Sequence, residues 1–165
     1  MPGGHLVTSA ALSVVAYGVM RSVPLSAGCF IGGFLIDVDH YFDYLFFEKQ
    51  WRRPMPASFL RYYFESRPSL LVLPLHSWEL FGTLTFLAIQ FDIPLLHGYV
   101  LGAAMHLVFD ILINGEHGIR NPLRFYSFAY RAVNRFSVRV LMDVKPTPRQ
   151  QSVSSLFWRV RLPRK

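Results

Sequence analysis

Histidines and carboxylates recur in this chain at spacings that a helix converts into pairs. Asp37 and His40 are three residues apart, His76 and Glu79 are three apart, and His106 and Asp110 are four apart. On an α-helix the members of each pair project from one face, a turn from each other. Asp39 and Asp43 add carboxylates beside the first pair, and His5 stands near the N-terminus. Imidazole nitrogen combined with carboxylate oxygen suits zinc, iron, nickel or manganese better than magnesium or calcium, which favour all-oxygen shells. A divalent transition metal held this way, zinc foremost, would lower the pKa of a bound water and polarise a phosphoryl or acyl oxygen. Glu79 or Asp37 would take the water's proton. The chain has a single cysteine, Cys29, so it offers neither an internal disulfide nor a thiolate cluster.

The elements that must position these residues are apolar. Four stretches read as helices: Leu6 to Met20, Pro24 to Phe47, Ser69 to Phe91 and Pro94 to Asn114, with a polar connector from Glu48 to Pro68. The second and fourth open on a proline, which suits a first helical turn because its missing N–H would have no partner there. Helices of roughly 21 to 24 residues, rising about 1.5 Å per residue, are long enough to cross a hydrocarbon layer about 30 Å thick. Ionisable residues inside such segments are costly and are therefore functional candidates. Counted from one edge, those of the second, third and fourth segments fall roughly 6 to 15 Å deep, in one layer. His5 joins that layer only if the first helix dips by a turn or two, and His97 lies at the opposite end.

Charge orients the bundle. The chain is 52% hydrophobic and only 16% charged, and its 17 basic residues against 10 acids leave a net charge of +7. Lys49, Arg52, Arg53, Arg61 and Arg67 face Glu48 and Glu65 in the connector, and eleven basic residues follow Glu116 against Asp143 and Glu116 itself. The other side of a four-crossing bundle carries Arg21 and Asp92. By the positive-inside rule both termini and the connector are cytoplasmic. No basic n-region precedes the first apolar stretch, so it is expected to stay in the mature protein. From Asn121 to Val144, Phe125, Phe128, Ala132, Phe136 and Val140 interleave with Arg124, Arg131, Arg135 and Arg139, which reads as one basic amphipathic helix on anionic headgroups. The alternative is a helix packed on the protein body. No nucleic-acid motif accompanies the basic tail.

The expectation is therefore an all-α, membrane-embedded bundle of about four apolar helices over residues 1–114, followed by a basic amphipathic helix and tail over 115–165. The polar layer reads as a metal site, a structural polar network or a proton or ion path. Its leading function is a metal-dependent hydrolase acting on a lipid ester or phosphodiester. The rivals are a non-enzymatic membrane protein with a structural metal site or ion path, and a soluble helical metalloprotein.

Four sequence elements sharpen this. His5-Leu6-Val7-Thr8-Ser9-Ala10, Gly32-Gly33-Phe34-Leu35-Ile36-Asp37-Val38-Asp39-His40, Leu75-His76-Ser77 and Gly102-Ala103-Ala104-Met105-His106-Leu107-Val108-Phe109-Asp110 together resemble the YdjM-like family of predicted inner-membrane metal-dependent hydrolases. The resemblance covers roughly residues 3 to 114, and the Asp-x-Asp-His and His-x-x-x-Asp elements are its most specific parts. With the family's more distant likeness to bacterial zinc-dependent phospholipase C, it implies metal binding by His5, Asp39, His40, His76, His106 and Asp110. Asp37 matches the first aspartate of the motif, as ligand or as partner of a ligand. Members usually carry Arg-Gly ahead of the Thr-His-Ser histidine, whereas Leu73-Pro74-Leu75 precedes His76 here. An anionic substrate group would then fall to another arginine, such as Arg67 or Arg120.

Overall fold

Prolines and serines set where the helices begin. Pro2 opens α1 (Pro2–Met20), and the Ser22 hydroxyl caps α2 (Val23–Phe34) by accepting from the Leu25 amide at 3.3 Å. Ser77 caps α5 (Trp78–Phe91) the same way through the Leu80 amide, and Pro94 opens α6 (Pro94–Asn114). A single residue in the left-handed region turns the chain between α1 and α2, Arg21 at φ 53°, and another between α5 and α6, Asp92 at φ 47°. These features come from a computed structural model, which describes residues 2–63, 68–114, 119–143 and 157–158. Among them the structure is helical, with isolated bridges Leu70–Ser137 and Ile119–Met142 and no strand.

The two hairpins lie together through α2 and α6, which touch backbone to backbone. Gly28 and Gly32 on α2 face Gly98 and Gly102 on α6, so each helix carries glycines four apart along the seam. A Cβ on Gly32 would lie 2.1 Å from the Tyr99 carbonyl oxygen, and one on Gly98 would lie 1.9 Å from that of Leu25. Only glycine permits this approach, which is the packing device of helices in lipid, where small residues replace the hydrophobic effect as the source of close contact.

The helical lengths differ from expectation. α1 starts at Pro2, a turn earlier than Leu6, and reaches 19 residues. Two helices, α1 and residues Pro94–Leu112 of α6, are long and apolar enough to cross a membrane, where about four were expected. The second segment stays helical to Phe47 but changes winding: a 3-10 turn (Leu35–Asp37), α3 (Val38–Phe42) and a π-helical turn (Asp43–Phe47) follow α2. The third segment loses its first third, because Pro74 and the Ser77 cap hold Ser69–Ser77 out of the helix. The remaining α5 has 14 residues and is about 21 Å long.

The connector contributes α4 (Pro56–Arg61). It is fastened at Glu48, whose carboxylate accepts from the Tyr62 hydroxyl, the Ser69 amide (2.6 Å) and hydroxyl (2.8 Å) and the Leu70 amide (2.8 Å). Partial burial works to raise the Glu48 pKa, but these hydrogen bonds outweigh it and hold the carboxyl below its ordinary range.

Asn121–Val144 is not one amphipathic helix. Its described residues form three short pieces, α7 (Pro122–Phe125), α8 (Phe128–Val133) and α9 (Val138–Leu141), with Arg135 and Phe136 at positive φ of 53° and 54° between the last two. Phe125, Tyr126, Val138 and Leu141 share a core with Leu71, Leu73, Leu107 and Ile119. This layer packs under the bundle at the end opposite the hairpin turns. Arg124, Arg135 and Arg139 remain exposed, whereas Arg131 is completely buried. Arg67 and the tail from Gln150, apart from residues 157–158, lie outside the described residues.

Candidate metal centre

The changes of winding after Gly33 divide four polar side chains between two tasks. Asp37 and His40 turn toward His76 and His106, while Asp39 and Asp43 turn toward the backbone of the non-helical loop that carries His76. Asp43 Oδ2 accepts from the amides of Val72 (2.7 Å) and Leu73 (3.3 Å), and Asp39 Oδ2 accepts from Leu75 (3.0 Å). The loop is buried and irregular, so its amides need such partners. A 3-10 or π turn inside a helix is a frequent mark of a functional position, and here two of them flank the polar residues.

Four donor atoms converge. His76 Nε2 and His106 Nε2 are 3.1 Å apart. Asp37 Oδ1 is 3.5 Å from the first and 3.4 Å from the second, and Asp110 Oδ2 is 3.8 and 3.4 Å away from them. Zinc bound at about 2.0 to 2.2 Å by nitrogen and oxygen, in a tetrahedron, places its ligand atoms about 3.3 to 3.6 Å from one another. The separations of the His76 and His106 nitrogens from each other and from the two carboxylate oxygens, 3.1 to 3.8 Å, bracket that value.

The tautomers follow from the partners. His106 Nδ1 is 2.8 Å from the Gly33 carbonyl oxygen, which only accepts, so Nδ1 carries a hydrogen. His76 Nδ1 lies 3.0 and 3.1 Å from the two Asp39 oxygens and donates to that carboxylate. With Nδ1 carrying the hydrogen on each ring, Nε2 is the nitrogen left to face its counterpart and the two carboxylate oxygens, and in the neutral form of each ring it is the atom that could ligate a metal. A histidine ligand whose second nitrogen is fixed by a carboxylate or carbonyl is the usual arrangement around a bound metal.

The other expected residues surround this core. His5 Nε2 is 3.2 Å from Asp110 Oδ1, and its ring stacks on His106 at 3.9 Å between centroids. It reaches the layer because α1 begins early enough to put His5 in its first turn. His40 Nε2 is 3.7 Å from Asp37 Oδ1, and its Nδ1 is 2.6 Å from the Tyr63 hydroxyl. His5, Asp39, His76, His106 and Asp110 are all buried. The Asp37 and His40 side chains retain 27% and 23% exposure and mark the open edge. The histidine and aspartate groups could thus hold a metal ion between Asp37, His76 and His106, between His5, His106 and Asp110, or between Asp39, His40 and His76.

Glu79 is not brought in. Its carboxylate accepts from the Ser127 hydroxyl (2.7 Å) and the amides of Phe128 (2.9 Å) and Ala129 (3.1 Å), so it closes the start of α8. Arg120 is likewise occupied, donating to Asp143 at 2.9 Å on the surface. Two contributors carried no clear signal in the sequence. Tyr63 lies on the connector far from any histidine in sequence, and Tyr126, hydrogen-bonded to Asp110 and stacked near His76, was hidden among the aromatic residues of an apparent surface helix. No protein-family model, curated protein or solved structure matches the chain.

Proposed function

We propose that this protein is a membrane-embedded, zinc-dependent hydrolase whose site opens at the cytoplasmic headgroup level and acts on a lipid ester or phosphodiester. The observation that carries the reading is the convergence of the His76 and His106 Nε2 atoms and Asp110 Oδ2 within 3.8 Å of one another, with Asp37 Oδ1 beside them at the open edge. The resemblance to YdjM-like proteins agrees with it in residues and in their order along the chain. Membrane embedding is supported by the two long apolar helices, the glycine seam and the exposed Val14, Val19, Ile31, Phe86, Ile89, Leu101 and Val108 on the bundle. Outward-facing Arg52, Arg53, Arg124, Arg135 and Arg139 at the site end fit an inner membrane with anionic lipid on that side and a phosphate-bearing substrate.

His76, His106 and Asp110 are assigned as the zinc ligands, a set of three that leaves a fourth position for water. The bound ion would acidify that water and polarise the scissile ester. Asp37, at the open edge and within 3.5 Å of both ligand nitrogens, takes the water's proton, the role that sequence reading divided between it and Glu79. His40 stands next to it, held from behind by Tyr63. Asp39 and the Gly33 carbonyl keep the two imidazoles in the tautomer that ligation needs.

Elemental analysis and hydrolysis of a chromogenic phosphodiester and of phospholipid in mixed micelles test this on detergent-purified protein. Wild type is expected to hold stoichiometric zinc, and H106A to lose it. D37N is expected to keep the metal while turnover falls by about 100-fold or more. Loss of metal in D37N would instead indicate a closed four-ligand structural site, the non-enzymatic alternative. Wild-type protein that contains no transition metal and gains none on incubation ends the proposal.

A further inference from the structure

A fully buried arginine, with no carboxylate among its hydrogen-bond partners in the described residues, stands under the loop that carries His76. Arg131 is 0% exposed, and its guanidinium donates to the Leu73 carbonyl (2.7 Å) and the Phe125 carbonyl (2.9 Å), and to the carbonyl of His76 itself at 2.9 Å. The first and third of these acceptors bracket Pro74 and Leu75. One planar side chain therefore spans the turn that presents His76, while Asp43 and Asp39 take the amides of the same loop from its other side. Leu73, at φ 44°, sits in a backbone region that a leucine enters only when its surroundings hold it there.

Burying a guanidinium is expensive, and neutral carbonyls offset that cost less well than a carboxylate would. An apolar side chain could fill the space at lower cost. What the fork alone supplies is fixed geometry: donors on different arms that reach two carbonyls of one turn and a third on α7, with little freedom left to any of them. We infer that Arg131 is a positioning residue for His76, setting the height and direction from which that imidazole meets His106. The inference rests on the metal reading above.

Titration of apo-protein with zinc against a chromogenic chelator, and the visible spectrum of the cobalt(II) form, test it in wild type, R131M, R131K and H106A. R131M is expected to weaken zinc binding by about ten-fold or more, the usual effect of removing a group that orients a ligand. Its cobalt spectrum should change in band position or intensity. R131K, with one ammonium in place of separate arms, should fall between R131M and wild type. A residue that serves stability alone would lower the melting temperature of the apo-protein while leaving zinc affinity and cobalt spectrum as they were; that result in the variants that fold overturns the inference. If R131M does not fold, R131K decides, because wild-type affinity in it also overturns the inference. A wild-type chain that takes no zinc, or an H106A variant that binds like wild type, removes the metal reading itself and is distinguishable from a failure confined to Arg131.

Discussion

At the scale of single residues, the same side-chain chemistry does different work according to what faces it. Asp37 meets imidazole nitrogens at an open edge, while Asp39, two residues on, spends both oxygens on His76 Nδ1 and the Leu75 amide. Glu79 is the instructive contrast. Its position a turn from His76 suggests a base, but a side chain on an exposed first turn can swing either way, and the free amides of α8 attract it more strongly than the buried site does. Glu79→Gln is therefore expected to cost about 1 kcal/mol of stability, the loss typical of a helix cap, and to leave turnover per bound metal unchanged. Thermal denaturation and rate measurements on one preparation check this; a collapse of turnover with the melting temperature intact would restore Glu79 to the chemistry. Glu48 makes a pH prediction. Its folded pKa is depressed, so its stabilising contribution is complete above the unfolded value near pH 4.3 and is lost as pH falls through the lower folded value. Melting temperature followed from pH 6 downward should drop below about pH 5, and E48Q should flatten that limb. An unchanged limb in the variant would show that Glu48 is not its source.

Elements convert those residues into a site through two devices of different legibility. The His-x-x-x-Asp and Asp-x-x-His spacings are readable because helical periodicity alone puts each pair on one face. The glycines at 28, 32, 98 and 102 are equally visible as four-residue repeats, and their meaning emerges only when the two helices are seen to cross on them. The loop from Ser69 to Ser77 reads in sequence as the start of the third apolar helix, because what holds its backbone open, Asp39, Asp43 and Arg131, is brought from elsewhere in the chain. An arginine bonded to three carbonyls looks, in sequence, the same as one facing headgroups. The glycine seam carries a test. Gly32→Val places side-chain carbon where the Tyr99 carbonyl now sits, forces α2 from α6 and withdraws the neighbouring Gly33 carbonyl from His106. A stability loss of at least about 1 to 3 kcal/mol, the cost of overpacking, and reduced metal content are expected. Unaltered melting and zinc content would show that the helices do not meet on this seam.

For the whole molecule, composition announces apolar surroundings more reliably than it counts crossings. A helical body with the site at one end and hairpin turns at the other is readable from alternating apolar segments and short turns. The number of full-length spans is not, since hydropathy does not register that Pro74 and Ser77 shorten the third segment or that the second changes winding at Leu35. Large apolar side chains cover the outside of α1, α2, α5 and α6, more than a chain in water leaves uncovered without associating. Membrane fractions washed with high salt and then alkaline carbonate should retain the protein, and detergent should release it. Release by carbonate alone would favour the soluble helical metalloprotein. The exposed arginines lie at the end where the acids and histidines collect, so in the proposed membrane arrangement the positive charge and the candidate centre would address the same leaflet.

If the centre holds a metal as proposed, the arginine clasp also implies an order of events in biosynthesis. Every ligand of the centre has been translated by Asp110, yet the loop that aims His76 is held by Arg131 and floored by Tyr126, both synthesised later. A nascent chain that has placed its apolar helices therefore owns all the ligands without owning the site. On the proposed reading, metal capture would wait until α7, α8 and α9 have been made and have closed under the bundle, and a chain truncated after α6 would carry the proposed ligands without the device that aims His76.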